Sequence, residues 1–157
     1  MGMVIQQESK QPIYLGVSAD LTHLYVPGEP GIECLVAKPT YFNAYTHAHV
    51  VKDHPERLEW LASDHDLICQ AVQEPEVVYR HLEYKDTMGH WSQAYVIKHP
   101  GKEGRWLTVV LSLAWTSGTE SADHQVITVY YGKLRDVYRN SSTDAAIIKD
   151  KWLEVVR

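Results

Sequence analysis

The sequence predicts an α+β fold in which N-terminal helices pack on a four-stranded antiparallel meander sheet, with a further helix at the C-terminus. Three observations carry that expectation. Tyr41 to Lys52 contains neither Gly nor Pro, and from Arg57 to Gln73 the apolar positions Leu58, Leu61, Ala62, Ile68, Cys69 and Val72 recur at helical spacing. From Val77 to Tyr131 the pattern changes to strand-length apolar runs separated by turn residues. After Ser142 and Thr143, which can cap a helix, apolar residues return as Ala146, Ile147, Leu153 and Val155.

The composition suits one compact domain. The chain has 157 residues, 45% of them hydrophobic and 22% charged, which is enough to bury a core and is not the balance of a disordered chain. Within that single unit the sequence divides into an N-terminal extension over 1–40, a core over 41–139 and a C-terminal helix over 140–157.

Taken in order, residues 1–12 are polar and expected to fray. Ile13 to Val17 reads as a short strand. Val26-Pro-Gly-Glu-Pro-Gly31 is a loop, and Ile32 to Ala37 a second short strand closed by Pro39. A helix over Tyr41 to Lys52 is interrupted at Asp53-His54-Pro55-Glu56. The residue before Pro leaves the helical region, and Pro55 suits the first turn of a new helix with Glu56 near its positive end. That helix runs to Gln73, with a capping break at Ser63-Asp64-His65-Asp66, and Glu74-Pro75 ends it. Strands follow at Val77 to Glu83, Gln93 to Lys98, Trp106 to Trp115 and His124 to Tyr131, the second and third joined by the hairpin loop His99 to Gly104. Asp144 to Val156 is the expected last helix.

Strand periodicity divides the sheet. Leu107, Val109, Leu111, Leu113 and Trp115 share a wholly apolar face, and Trp106, Thr108, Val110, Ser112 and Ala114 the other. Ile127, Val129 and Tyr131 form one set of the last strand; Val126, Thr128 and Tyr130 form the other. The apolar sets should meet the helices, leaving a half-open face with hydroxyls, as in many antiparallel sheets.

Four histidines, His47, His49, His54 and His65, lie in one short stretch. As metal ligands they are poorly spaced. On a helix, positions two apart point about 200° apart, so His47 and His49 cannot share one ion, and neither HExxH nor a Cys2His2 spacing is present. As acid–base groups they are better placed, because two histidines titrating near neutrality can remove and donate protons in phosphodiester cleavage without a metal. The third reading leaves them as surface or hydrogen-bonded side chains.

The order of these features resembles the barnase–EndoU–colicin E5/D–RelE-like (BECR) nuclease superfamily, in its phage and mobile-element branch. The residues carrying the resemblance are His49-Val-Val-Lys-Asp-His54-Pro55-Glu56, the helix exit Glu-Pro-Glu-Val-Val-Tyr79-Arg80, and the strand Val126-Ile-Thr128-Val-Tyr130. Together they span about Tyr41 to Arg139. The resemblance implies a metal-independent endoribonuclease needing no cofactor, a toxin or phage effector, whose RNA lies on the concave face of the sheet. Its implied catalytic residues are His49, His54, Thr128 and Tyr130; Arg80, Lys98 and Glu56 are implied to bind substrate. Where the family pattern often has a basic residue before the HPE histidine, this chain has Asp53, with Lys52 one earlier.

The formal net charge of −5 argues against a dedicated binder of long duplex nucleic acid, though not against a nuclease that holds a few phosphates. It also favours a rival reading, an inactive interaction or accessory protein with a protein inhibitor or partner. Cys34 and Cys69 lie in apolar surroundings without CxxC spacing and read as buried free thiols in a reducing, cytoplasmic setting. Residues 1–10 lack the apolar stretch of a signal peptide, and Gln6 stands where a myristoylation signal needs Ser or Thr. No apolar run approaches the roughly 20 residues that span a bilayer, so no membrane partner is expected.

Overall fold

A computed structural model describes residues 13–25, 27–28, 32–42, 63–85, 91–115, 122–141 and 147–150. Its centre is a seven-stranded mixed sheet in the order β1-β2-β6-β5-β4-β3-β7. The strands are β1 (Ile13–Val17), β2 (Pro39–Phe42), β3 (Val77–Lys85), β4 (Trp91–Lys98), β5 (Trp106–Trp115), β6 (Ala122–Gly132) and β7 (Ile147–Asp150). Two α-helices are described, α1 (His65–Gln73) in mid-chain and α2 (Leu134–Ser141) after β6.

This architecture overturns the expected N-terminal helices on a four-stranded meander. Strands β3 to β6 are consecutive and antiparallel, but the sheet continues on both sides of them. On one side β2 joins β6 in parallel through Thr40↔His124 and Tyr41↔Gln125, and β1 pairs with β2. On the other, β7 pairs antiparallel with β3.

Each addition has a local cause. Pro39-Thr-Tyr-Phe42 falls partly in the expected helix, yet Thr, Tyr and Phe favour the pleated, half-buried surface. Pro39 sits at the strand's first residue, where a missing N–H is tolerated. Ile32–Cys34 is a 3-10 turn instead of a strand, closed by the Leu35 N–H donating to the Ile32 carbonyl at 2.9 Å. The expected C-terminal helix fails over Ile147–Asp150, where two β-branched residues complete the otherwise open side of β3. The helix forms earlier, over Leu134–Ser141. There the Asp136 carboxylate accepts the Lys133 backbone N–H at 3.1 Å, half of a capping box.

Both faces of the sheet carry apolar cores. Under α1, Ile68, Ala71 and Val72 pack with Val78, Tyr95, Leu107, Val109, Val126 and Val129. Under α2, Val137 packs with Val77, Tyr79, Ala94, Val96, Trp106 and Val110. A bulge shifts the β5–β6 register between Val110↔Thr128 and Leu111↔Val126. The extra residue, Ile127, reverses the alternation, so Val126 joins Val129 on the α1 face while Thr128 stays on the α2 face. The simple alternation in the sequence had grouped Val126 with Thr128 and Tyr130. Cys34 and Cys69 are both free thiols. Among the described residues no helix is long and apolar enough to cross a membrane.

Candidate functional site

Strand alternation and register build the α2 face as a series of cross-strand rows. Val77, Val96, Thr108 and Tyr130 form one row, and Tyr79, Ala94, Val110 and Thr128 the next. Tyr79 is fully buried, and its hydroxyl lies 3.1 Å from that of Tyr130. A pair of phenols at this distance shares one hydrogen bond, in which either hydroxyl can be the donor. Thr128 is half-buried beside them. Val137 of α2 shares one apolar cluster with Tyr79 and Val110, and Leu134, Ile127 and Tyr130 pack against that cluster.

The residues suggested by sequence are only partly brought together. Thr128 and Tyr130 share the α2 face. Arg80 does not: Val78 belongs to the α1 core and Tyr79 to the α2 core, so alternation puts Arg80 on the α1 side, across from Gln93. Lys98 ends β4 opposite Trp106, and Trp106, Val96 and Thr108 intervene between it and Tyr130. The Lys98 backbone N–H donates to the Glu76 carboxylate at 2.7 Å. Its side chain borders an open hollow of about 540 Å³ lined also by Gln70, Gln73, Glu74, Glu76 and Lys149. The expected residues His49, His54 and Glu56, like His47, lie outside the described residues. Among the described residues, no group of three or more His, Cys, Asp or Glu side chains could hold a metal ion.

A second polar cluster, at the start of α1, escaped the sequence reading. Asp64 occupies the N-cap, yet its carboxylate makes no capping bond. It instead accepts the Tyr131 hydroxyl, and its other oxygen lies 4.0 Å from His99 Nε2. The Gly101 N–H donates to His99 Nδ1 at 3.0 Å, so the neutral ring carries its proton on Nε2, toward Asp64. The Arg105 guanidinium stacks 4.1 Å from the centre of the Tyr131 ring. Burial, then the bond to Asp64 and its charge, holds the Tyr131 phenol well above its ordinary range. With the Tyr131 hydroxyl bonded to Asp64 and its ring against Arg105, this cluster is suited to fastening α1 to the sheet. Its one signal in sequence was that His99 and Arg105 flank a hairpin loop, which pairs them through His99 N–H to the Arg105 carbonyl at 2.8 Å.

A third polar group sits on the α1 face. His124 is 2% exposed, and neither ring nitrogen has a hydrogen-bond partner. Burial pushes its pKa down to about 4, helped by the charge of Lys38, while the Val36 backbone opposes this without completing a hydrogen bond. It is therefore neutral at pH 7 and sits at the junction where β2 meets β6.

Comparison with family models, with curated proteins and with solved structures finds no match to this chain.

Proposed function

We propose that this protein is a metal-independent endoribonuclease, with the scissile phosphate held on the α2 face beside Thr128 and Tyr130. The observation that carries the reading is the Tyr79–Tyr130 hydroxyl pair next to Thr128, on the face turned away from α1. Hydroxyl donors fixed in advance can hold the non-bridging oxygens of a phosphate as negative charge grows on them. The motif order through His49, His54-Pro55-Glu56, Thr128 and Tyr130 supports the same chemistry.

In this reading one histidine removes the ribose 2′-hydroxyl proton as that oxygen attacks phosphorus. The bond from phosphorus to the 5′-oxygen breaks, and the second histidine protonates the departing oxygen. The products are a 2′,3′-cyclic phosphate and a free 5′-hydroxyl. His49 and His54 are the proposed pair. Arg80, on the α1 side, is not the cation facing this phosphate.

That placement of Arg80, with the net charge of −5, favours a second reading: a non-enzymatic interaction or accessory protein. One assay separates them. Purified protein is incubated with total RNA in EDTA, beside a His49→Ala, His54→Ala double variant. The nuclease reading requires cleavage ending in cyclic phosphate that the double variant lacks. RNA left intact, or cut equally by both proteins, leaves the interaction reading standing.

A further inference from the structure

Beyond the two rows described above, the α2 face carries a third that crosses most of the sheet. Tyr14 pairs with Tyr41, Tyr41 with Gln125, and Gln125 with Ser112. One step past the last registered pair of β4 and β5, Gln93↔Leu111, the row reaches Ser92. The bulge at Ile127 places this row next to the one holding Thr128.

Two features of the row are unusual for a structural surface. Tyr14 is 52% exposed, the most exposed of the large hydrophobic side chains among the described residues. Its ring lies 5.4 Å from that of Tyr41 at 48°, so the pair forms an aromatic ledge along the edge of the sheet. At the far end, the Ser92 hydroxyl is fully buried and has no hydrogen-bond partner. A buried orphan hydroxyl costs stability, but Ser92 is fully buried and three strands from Tyr41, so the aromatic ledge is the open end of the row.

We propose that the Tyr14–Tyr41 end of this row is a nucleobase subsite, in which an unpaired RNA base stacks on the two rings beside the phosphate held at Thr128 and Tyr130. The proposal rests on the endoribonuclease reading and adds the substrate class, single-stranded RNA with unstacked bases. Neighbouring strands are about 4.8 Å apart and alternate residues about 6.6 Å apart, which puts Tyr41 about 8 Å and Tyr14 about 12 Å from Thr128 along the backbone surface. A nucleotide adjoining the scissile one spans that distance. Stacking on an aromatic ring tolerates any base, because every base has a π-face. Tyr14 on β1 thus contributes to the site from outside the 41–139 core, through its pairing with Tyr41 on β2.

The test measures binding apart from cleavage. Short fluorescent 2′-O-methyl oligonucleotides, which have no 2′-hydroxyl to attack phosphorus, are titrated into wild type and into Tyr14→Leu, Tyr14→Phe and Tyr14→Trp. Leu keeps apolar bulk without a π-face, Phe keeps the ring without the hydroxyl, and Trp enlarges the ring. The expected result is wild-type affinity in Phe, equal or tighter binding in Trp, and a loss of about fivefold or more in Leu. Equal affinity in wild type and Leu overturns the subsite while leaving RNA binding intact. Equal loss in Leu and Phe overturns stacking in favour of a hydroxyl contact. No binding by wild type overturns the subsite and the endoribonuclease reading together. Should Tyr14→Leu unfold, the Phe-to-Trp comparison decides: tighter binding in Trp supports stacking, and no difference overturns it.

Discussion

Tyr131, near the end of β6, donates its hydroxyl hydrogen to the carboxylate of Asp64, the residue that precedes α1. The contact ties the helix to the sheet at the point where the chain enters from the histidine-bearing segment. Removing the hydroxyl leaves a half-buried carboxylate short of one donor, which costs about 1–3 kcal/mol. Tyr131→Phe is therefore expected to lower the urea midpoint without changing the slope. An unchanged midpoint would show that solvent replaces the bond. The same contact sets an alkaline limit. The folded phenol holds its proton more tightly than the unfolded one, so its contribution is complete below pH 10 and is lost as the pH rises above that.

His124 sets the acid limit. Its folded pKa of about 4 lies below the 6.5 of an exposed histidine, so the unfolded chain takes up a proton first as the pH falls. The stability it contributes is intact above pH 6.5 and drains away between 6.5 and about 4. For so buried a group the loss is on the order of 3 kcal/mol. Denaturation midpoints followed from pH 7 to 4 should fall steeply in wild type and less so in His124→Gln, which carries no titrating ring. Parallel curves for the two proteins would assign the acid sensitivity to carboxylates instead.

Gly16 lies in β1 with φ of +100°, where side chains are strained, and a Cβ there would strike the Gln73 side-chain amide. That amide donates to the Leu15 carbonyl at 3.3 Å and so joins β1 to α1. Gly28 has a similar φ of +92° but open space around it. Gly16→Ala is expected to cost more than the 1–3 kcal/mol typical of a strained backbone position, and Gly28→Ala about that or less. The difference between their thermal midpoints reads the Gln73 contact directly. Equal midpoints would mean that Gln73 moves aside freely.

The sequence exposed those parts of the fold that local pattern controls. Trp106 to Trp115 alternates over ten residues, and Pro100, Gly101 and Gly104 set it off from the strand before it, so β5 and the loop that leads into it could be placed closely. What failed depends on contacts distant in sequence. Thr40 and Tyr41 become strand because β6 offers them an open edge more than eighty residues later. A single inserted residue at Ile127 moves Val126 to the other face, and no composition announces a bulge. The candidate site follows the same division. Thr128 and Tyr130 remain together because they lie on the near side of the bulge. Arg80 follows Tyr79 by one residue and is therefore turned away from it. The Asp64–Tyr131 pair needs a tertiary structure before it exists at all.

The β7 strand is four residues long and lies at the edge of the sheet, so pairing with Val77 to Tyr79 alone would leave it weakly held. A side-chain bond supplies the rest. The Tyr138 hydroxyl, on α2, donates to the buried Asp150 carboxylate at 2.5 Å. Burial, followed by that bond and the charge of Asp150, pushes the Tyr138 phenol up to about 12, so it keeps its proton throughout the neutral range. Helix α2 therefore does two things at once: Val137 packs into the apolar core of its face, and Tyr138 holds the strand at the edge. Tyr138→Phe should preserve the first and lose the second. Its expected signature is local, with amide exchange accelerating at Ile147 to Asp150 more than at the central strands β4 and β5, and a global loss of about 1–3 kcal/mol. Uniform acceleration across the whole sheet would mean that β7 does not open independently and that Asp150 is held chiefly by its backbone pairing.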